Sequence, residues 1–288
     1  MQLDGRRQST NVDDRRGMSG GKVAGGLGLG GLIIVGLITL LMGGNVGDVV
    51  ETVTQMGGSE IVSQSGRTPT AEEEELAVFT KQILASTEDV WTKVLAQYGR
   101  TYTPPQLVLY NDYVQTASGT ASAQMGPFYN SGDQCVYIDL SFFSTMRQQI
   151  GADGDFAYAY VIAHEIGHHV QYLLGTLQSA HQQMARMSQA ESNRMSVRIE
   201  LQADFLAGIW ARYENEMFRS LEEGDLEEGI DLAAKIGDDY LQKKARGYVQ
   251  PESFNHGTSD QRKRWLLKGY RTGDLNQGDT FSMNYTQL

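Results

Sequence analysis

His164, Glu165 and His168 stand in the run Ala163-His164-Glu165-Ile166-Gly167-His168-His169 and spell His-Glu-x-x-His. On an α-helix, residues four apart lie one above the other, so both imidazoles can reach a single metal ion, zinc above all. Glu165 sits beside that face. It need not be a ligand; it can take a proton from water held at the metal, which then attacks a carbonyl carbon. Three fixed residues also recur by chance in unrelated helices, so the setting decides. Residues 156–163 and then Val170, Leu173 and Leu174 are largely apolar, which predicts a buried helix with Asp153 or Asp155 as N-cap and Gly175 as its stop. Two buried imidazoles need polar partners, and a metal serves both.

A catalytic zinc site takes three protein ligands and keeps the fourth position open. The metzincin extension of the motif would require glycine at position 171 and histidine at 174; the chain has Gln171 and Leu174, so the third ligand lies elsewhere. Residues 196–210 read as a second helix, with Ile199, Ala203, Leu206 and Trp210 at helical spacing. Glu200 and Asp204 share one face of it, where like charges repel unless a cation lies near. Glu200 is the natural third ligand, and Asp204 an acceptor for the N–H of a ligating imidazole. A solvated helix edge would also tolerate two acids, but Ala203, Ala207 and Gly208 predict close approach to the zinc helix. Glu191 lies about two and a half turns earlier and points elsewhere. His169, rotated by about 100° from His168, is expected to bond to backbone, and His181 lies in a polar stretch that reads as exposed.

The chain of 288 residues has room for one large domain or two small ones, and its net charge of −11 argues against nucleic acid as a partner. Residues 23–42 carry no charge and are long enough, at about 1.5 Å per residue, to cross a bilayer core. A cleaved signal peptide or a glycine-rich linker would be alternatives, but the apolar run is long and lacks a small-x-small cleavage site, which favours an uncleaved anchor. Arg6, Arg7, Arg15, Arg16 and Lys22 precede this stretch and no Lys or Arg follows until Arg67, so the N-terminus is expected to be cytoplasmic and the rest exported. Small-xxx-small spacings among Gly21, Gly25, Gly26 and Gly30 would permit a homodimer through the span. Cys135, the single cysteine, excludes an intrachain disulfide and reads as a small buried residue of a strand.

These signals divide the chain into an N-terminal segment (1–22), a transmembrane helix (23–42), a linker (43–70) and one domain (71–288). Thr70 and Glu73 form a capping box for a helix whose apolar face runs from Leu76 to Tyr98. Residues 106–110, 121–129 and 135–140 read as strands, the last two joined through Asn130-Ser131-Gly132-Asp133. Only helices follow: 142–150, the zinc helix, the Glu200 helix, 226–245 and 260–267. That order predicts an α+β domain in which a small sheet backs the active-site helix. Residues 122–126 are candidates for a substrate wall, since a sheet edge can pair with an extended peptide.

Gly126-Pro127-Phe128-Tyr129, Val136-Tyr137-Ile138-Asp139-Leu140-Ser141-Phe142-Phe143, Gly154-Asp155-Phe156-Ala157-Tyr158-Ala159-Tyr160, the His-Glu-x-x-His run, Glu200-Leu201-Gln202-Ala203-Asp204, Gly237-Asp238-Asp239 and His256-Gly257-Thr258-Ser259-Asp260-Gln261-Arg262 together resemble the neutral zinc metallopeptidases of bacteria. The resemblance covers most of the chain. It implies a membrane-anchored peptidase with a zincin-like domain, one zinc held by His164, His168 and a downstream Glu, and Glu165 as catalytic acid and base. Members of that family often carry cysteines where this chain has Ser118 and Asn130, which implies that a bridge near the hairpin is missing here.

His256 lies on a glycine-flanked turn and could donate a hydrogen bond to the oxyanion of a tetrahedral intermediate. Its block is similar to the His-Pro-Ser segment, with a following arginine, of membrane proteases that cleave prenylated proteins. Arg262 would then pair with a carboxylate, Asp204 being one partner; the other reading is a surface turn in which Thr258 or Ser259 caps the last helix. The expected substrate is a peptide or protein. Against this stand a non-catalytic zinc-binding envelope scaffold or regulator, and a hydrolase of non-peptide amides. A structural zinc is usually closed by four ligands, often with cysteine, and only three good ligands are evident here.

Overall fold

Thr70 sets the start of the first long helix: its hydroxyl accepts the Glu73 N–H at 3.2 Å while the Glu73 carboxylate accepts the Thr70 N–H at 2.7 Å. Helix α1 (Ala71–Gln97) follows from this capping box and buries Ile83, Leu84, Val90, Trp91 and Val94. The computed structural model describes residues 1–17 and 68–288. The charge-free stretch 23–42 and most of the linker lie outside the described residues, among which no helix is long and apolar enough to cross a membrane.

The sheet has the order β1-β2-β6-β5, from β1 (Val12–Asp14), β2 (Gln106–Tyr110), β6 (Cys135–Asp139) and β5 (Phe128–Asn130). β2 runs parallel to β6, with Leu107 opposite Val136 and Leu109 opposite Ile138. β5 and β6 form the antiparallel hairpin expected around residues 130–133, Asn130 facing Cys135. The expected strand over 121–129 is broken. Its first part belongs to β4 (Gly119–Ser122), which pairs with β3 (Tyr113–Thr116) in a separate ribbon, and a 3₁₀ turn (Ala123–Met125) leads into β5. Gly126 at φ +77° ends that turn, a conformation a side chain would resist, and Pro127 has no N–H for a ladder. Ser118 Oγ donates to Asn130 Oδ1 at 3.2 Å, so a hydrogen bond joins these two loops.

Helix α2 (Ser141–Ile150) packs Phe142, Phe143 and Met146 into the core, and α3 (Asp155–Leu174) is the buried helix that carries His164, Glu165 and His168. Gly175 at φ +81° ends α3 as expected. Its start differs: Gly154 is the N-cap, Asp155 is already helical, and the Phe156 N–H is taken by the Glu228 carboxylate at 3.2 Å. The polar stretch after it forms α4 (Thr176–Met184), where His181 is half-buried rather than exposed. The Glu200 helix, α5 (Gln189–Phe218), is much longer than residues 196–210, because Ser188 and Glu191 cap it far upstream. α6 (Asp225–Lys235), α7 (Asp238–Arg246) and α8 (Ser259–Thr272) complete the eight helices among the described residues.

Small residues set how closely these helices cross. A Cβ on Gly167 of α3 would lie 3.0 Å from the Ala203 carbonyl oxygen of α5, so the zinc helix and the Glu200 helix touch backbone to backbone. Gly208, expected to serve the same contact, instead faces α8: a Cβ there would lie 2.1 Å from the Leu266 carbonyl oxygen.

The sequence set residues 1–22 apart, yet the described part of them is built into the domain. β1 pairs with β2 in parallel, Val12 opposite Leu107, and Leu3 joins the main core.

Candidate metal centre

Helical spacing stacks His164 and His168 on one face of α3, their rings 4.8 Å apart and nearly perpendicular. Gly167 lets α5 approach that face, and Glu200 then lies between the two histidines. Its Oε2 is 3.1 Å from His164 Nε2 and its Oε1 is 3.4 Å from His168 Nε2. All three side chains are buried, and their ligand atoms lie within 4.8 Å of one another, so this group could hold a metal ion. Two neutral imidazole nitrogens and a carboxylate oxygen are a donor set that zinc accepts.

The far nitrogen of each imidazole is engaged, which turns both Nε2 atoms toward Glu200. His164 Nδ1 lies 2.8 Å from Asp204 Oδ1, one turn beyond Glu200 on α5, as expected. His168 Nδ1 lies 2.9 Å from Gln171 Oε1, whose amide is held in turn by the Ile199 carbonyl and Gln202. Such partners fix ring orientation and raise ligand basicity. Asp204 is also gripped by Arg262, whose Nε and Nη2 reach its two oxygens at 2.8 and 2.9 Å, and by the Tyr160 hydroxyl at 2.5 Å. The pairing expected of Arg262 is thus present, and α8 is tied to the floor of the site.

Burial works against charge on His164, but Asp204 and Glu200 outweigh it and push its pKa up to about 10. Burial prevails at His168, lowered to about 4. Burial also raises carboxyl groups, yet the two histidines hold Glu200 below its ordinary range, and Arg262 with His164 holds Asp204 down at about 2. The centre therefore carries anionic carboxylates around converging nitrogens, an arrangement a dication satisfies.

Glu165 lines the same cleft as these three residues. Burial pushes its pKa up to about 7, with the His164 charge and the nearby Tyr129 backbone N–H working against the rise, and Oε2 is buried without a partner. An unpaired oxygen of this kind is costly unless it has a task. These residues line one cleft, open to solvent, whose other walls are Met125, Pro127, Phe142, Val161, Ile236 and His256. Of the candidate substrate wall, Met125 reaches the cleft, from the 3₁₀ turn instead of a strand. His256 Nδ1 lies 3.3 Å from Asp238 Oδ1. Thr258, not Ser259, caps α8.

The excluded candidates fall outside. Glu191 is spent on its capping box, and His169 bonds to the Thr103 carbonyl at 2.7 Å and the Tyr129 hydroxyl at 3.0 Å. Tyr160 and Gln171 were not singled out from the sequence, although both lie within one turn of a ligand, at i−4 from His164 and i+3 from His168. That spacing was the available signal.

A buried His-Glu-x-x-His helix, joined by a glutamate from a second helix in an α+β domain, defines a class of proteins with a three-residue site that could hold a metal ion. The chain belongs to the family described as "Putative neutral zinc metallopeptidase", whose profile matches residues 1–281. The chain is 47% identical to the uncharacterized protein YpfJ of Escherichia coli K12, over 98% of this chain and 99% of that protein. It is 40% identical to the uncharacterized protein Rv2575 of Mycobacterium tuberculosis, over 68% of each chain. No solved structure matches it.

Proposed function

We propose that this chain is a zinc-dependent peptidase that hydrolyses peptide bonds at the His164–His168–Glu200 centre, with attachment to a membrane through residues 23–42. The observation that carries the catalytic reading is the unpartnered Oε2 of Glu165, beside a three-residue donor set in an open cleft. His164, His168 and Glu200 would hold one zinc, and Asp204 and Gln171 would keep the two rings aimed. When bound, zinc supplies Lewis acidity toward a scissile carbonyl and lowers the pKa of water.

Glu165 takes the proton of the attacking water on Oε2 and passes it to the leaving amine. His256, with Nδ1 turned to Asp238, presents Nε2 as the donor for the developing oxyanion. Arg262 is committed to Asp204 and acts by holding that carboxylate. The apolar walls from Met125, Pro127, Phe142, Val161 and Ile236 favour a substrate with an apolar side chain next to the scissile bond.

The test is a diverse peptide library incubated with purified full-length protein, with zinc, with chelator, and with zinc restored. Cleavage that follows zinc and clusters beside apolar residues is the expected result. A zinc-loaded protein that cleaves nothing would favour the scaffold reading.

A further inference from the structure

We propose that Asp238 is a positioning residue that sets His256 against the metal centre, an inference that rests on the peptidase reading above. Asp238 is the first residue of α7 and is 1% exposed. Its Oδ2 accepts three successive backbone N–H groups, from Asn255 at 2.9 Å, His256 at 2.7 Å and Gly257 at 2.9 Å. Its Oδ1 faces His256 Nδ1, and its own N–H donates to the Gly257 carbonyl at 2.8 Å. One carboxylate thus fixes both the turn and the ring it carries. Gly257 at φ +96° permits the turn, and Asp239 anchors its far end by accepting the Ser259 N–H at 2.7 Å. Holding the backbone would have needed only one oxygen. The second accepts from Nδ1–H and, as a carboxylate beside the ring, stabilises the doubly protonated imidazole whose Nε2–H faces the cleft that His256 lines.

Asp238→Asn in the zinc-loaded full chain should keep its zinc, lower kcat roughly 10–100-fold and leave KM nearly unchanged. In a His256→Ala background the same substitution should cost nothing further, because Asp238 acts through that ring. An equal loss in both backgrounds, or an unchanged kcat in Asp238→Asn, overturns the proposal. The ¹⁵N spectrum of His256 supplies a readout independent of turnover: both ring nitrogens protonated in the parent, with the Nδ1 signal altered in the variant, is expected, whereas an unprotonated Nδ1 in the parent contradicts it. Absent zinc-dependent cleavage by the parent would defeat the peptidase reading and leave the spectrum to decide the role of Asp238.

A different observation carries a second inference. We infer that residues 1–17 and the domain from residue 68 onward occupy the same side of any membrane. The Leu107 N–H donates to the Asn11 carbonyl at 2.9 Å, and the Arg15 N–H donates to the Leu109 carbonyl at 2.8 Å. Hydrogen bonds of this length cannot form across a hydrocarbon core of about 30 Å. Arg6 meets Glu214, which is fully buried, at 2.9 Å, and Arg7 bridges Glu88 and Asp89 of α1. Arg16, itself buried, pairs with Asp14 and Glu74. Arg6, Arg7 and Arg16, which would have oriented a single crossing, are therefore taken by carboxylates of the domain, while Arg15 pairs with Asp13 of its own segment. A cytoplasmic N-terminus with an exported domain would require β1 to leave the sheet.

Single cysteines at Thr10 and at Glu223, each in full-length Cys135→Ala protein, can be probed in intact cells with a permeable outer membrane by a membrane-impermeant maleimide, and again after lysis. Both positions are exposed. Labelling of both or of neither before lysis, with both labelled afterwards, is expected. Labelling of only one before lysis overturns the inference.

Discussion

Gly167 on the zinc helix meets Ala203 on the Glu200 helix so closely that a Cβ on the glycine would sit 3.0 Å from the alanine carbonyl oxygen. This crossing brings Glu200, one turn before Ala203, between His164 and His168. Gly167→Ala should therefore force the helices apart by a few tenths of an ångström. The expected cost is about 1–3 kcal/mol of stability, the range for overpacking, together with weaker zinc binding. Denaturant unfolding and zinc competition measure the two effects; no change in either would show that the crossing does not set the ligand geometry.

Glu200→Gln should lose most of its zinc, since it removes the charged ligand between the two imidazoles. Glu191→Gln should keep it, because Glu191 only closes the capping box with Ser188. Metal analysis of both variants decides the assignment. The reverse pattern would move the third ligand to the start of α5.

Asp204 accepts from Arg262 and Tyr160 and faces His164 Nδ1 within one buried cluster. Asp204→Asn should weaken zinc binding about 10–100-fold and leave the Arg262 guanidinium buried without its counter-charge. The loss of one partner of such a pair typically costs about 3–5 kcal/mol. Tyr160→Phe, which removes a single hydroxyl, should cost much less. Equal effects of the two substitutions would remove the charge of Asp204 from the explanation.

His169 is fully buried, donates to Thr103 and accepts from Tyr129, and burial lowers its pKa from 6.5 to about 4. A histidine depressed in the fold binds its proton more readily when unfolded. Its contribution is thus whole above pH 6.5 and falls away as the pH drops toward about 4. The difference in stability between the parent and His169→Gln should shrink over that window by up to about 3 kcal/mol. A difference that is flat with pH would mean that His169 does not resist protonation in the fold.

Much of the site could be read from residue spacing because its parts are local. His164 and His168 share a helix face, Glu200 and Asp204 share another, and Asp204 with its acidic neighbour required a cation, which Arg262 supplies in part. The long helices followed from apolar periodicity and from the caps at Thr70 and Gly175. What escaped depended on tertiary neighbours. β1 has three residues, two of them acidic, and it becomes a strand only because β2 offers a free edge far along the chain. The direction faced by Gly208 depends on where α8 packs. Asp238 lies far in sequence from the centre, and only the folded turn brings its carboxylate to His256. The break in the expected strand over 121–129 was carried by Gly126 and Pro127, a pair whose turn chemistry outweighed the β-forming residues around it.

The central claim rests on Glu165 as the group that moves the proton beside a bound zinc, and Glu165→Gln tests it most directly. The variant keeps the shape of the side chain and removes its basicity. With equal zinc content measured in parent and variant, the parent should hydrolyse peptides and the variant should be slower by about 10²–10⁴. A variant that binds zinc and cleaves as fast as the parent would contradict the account.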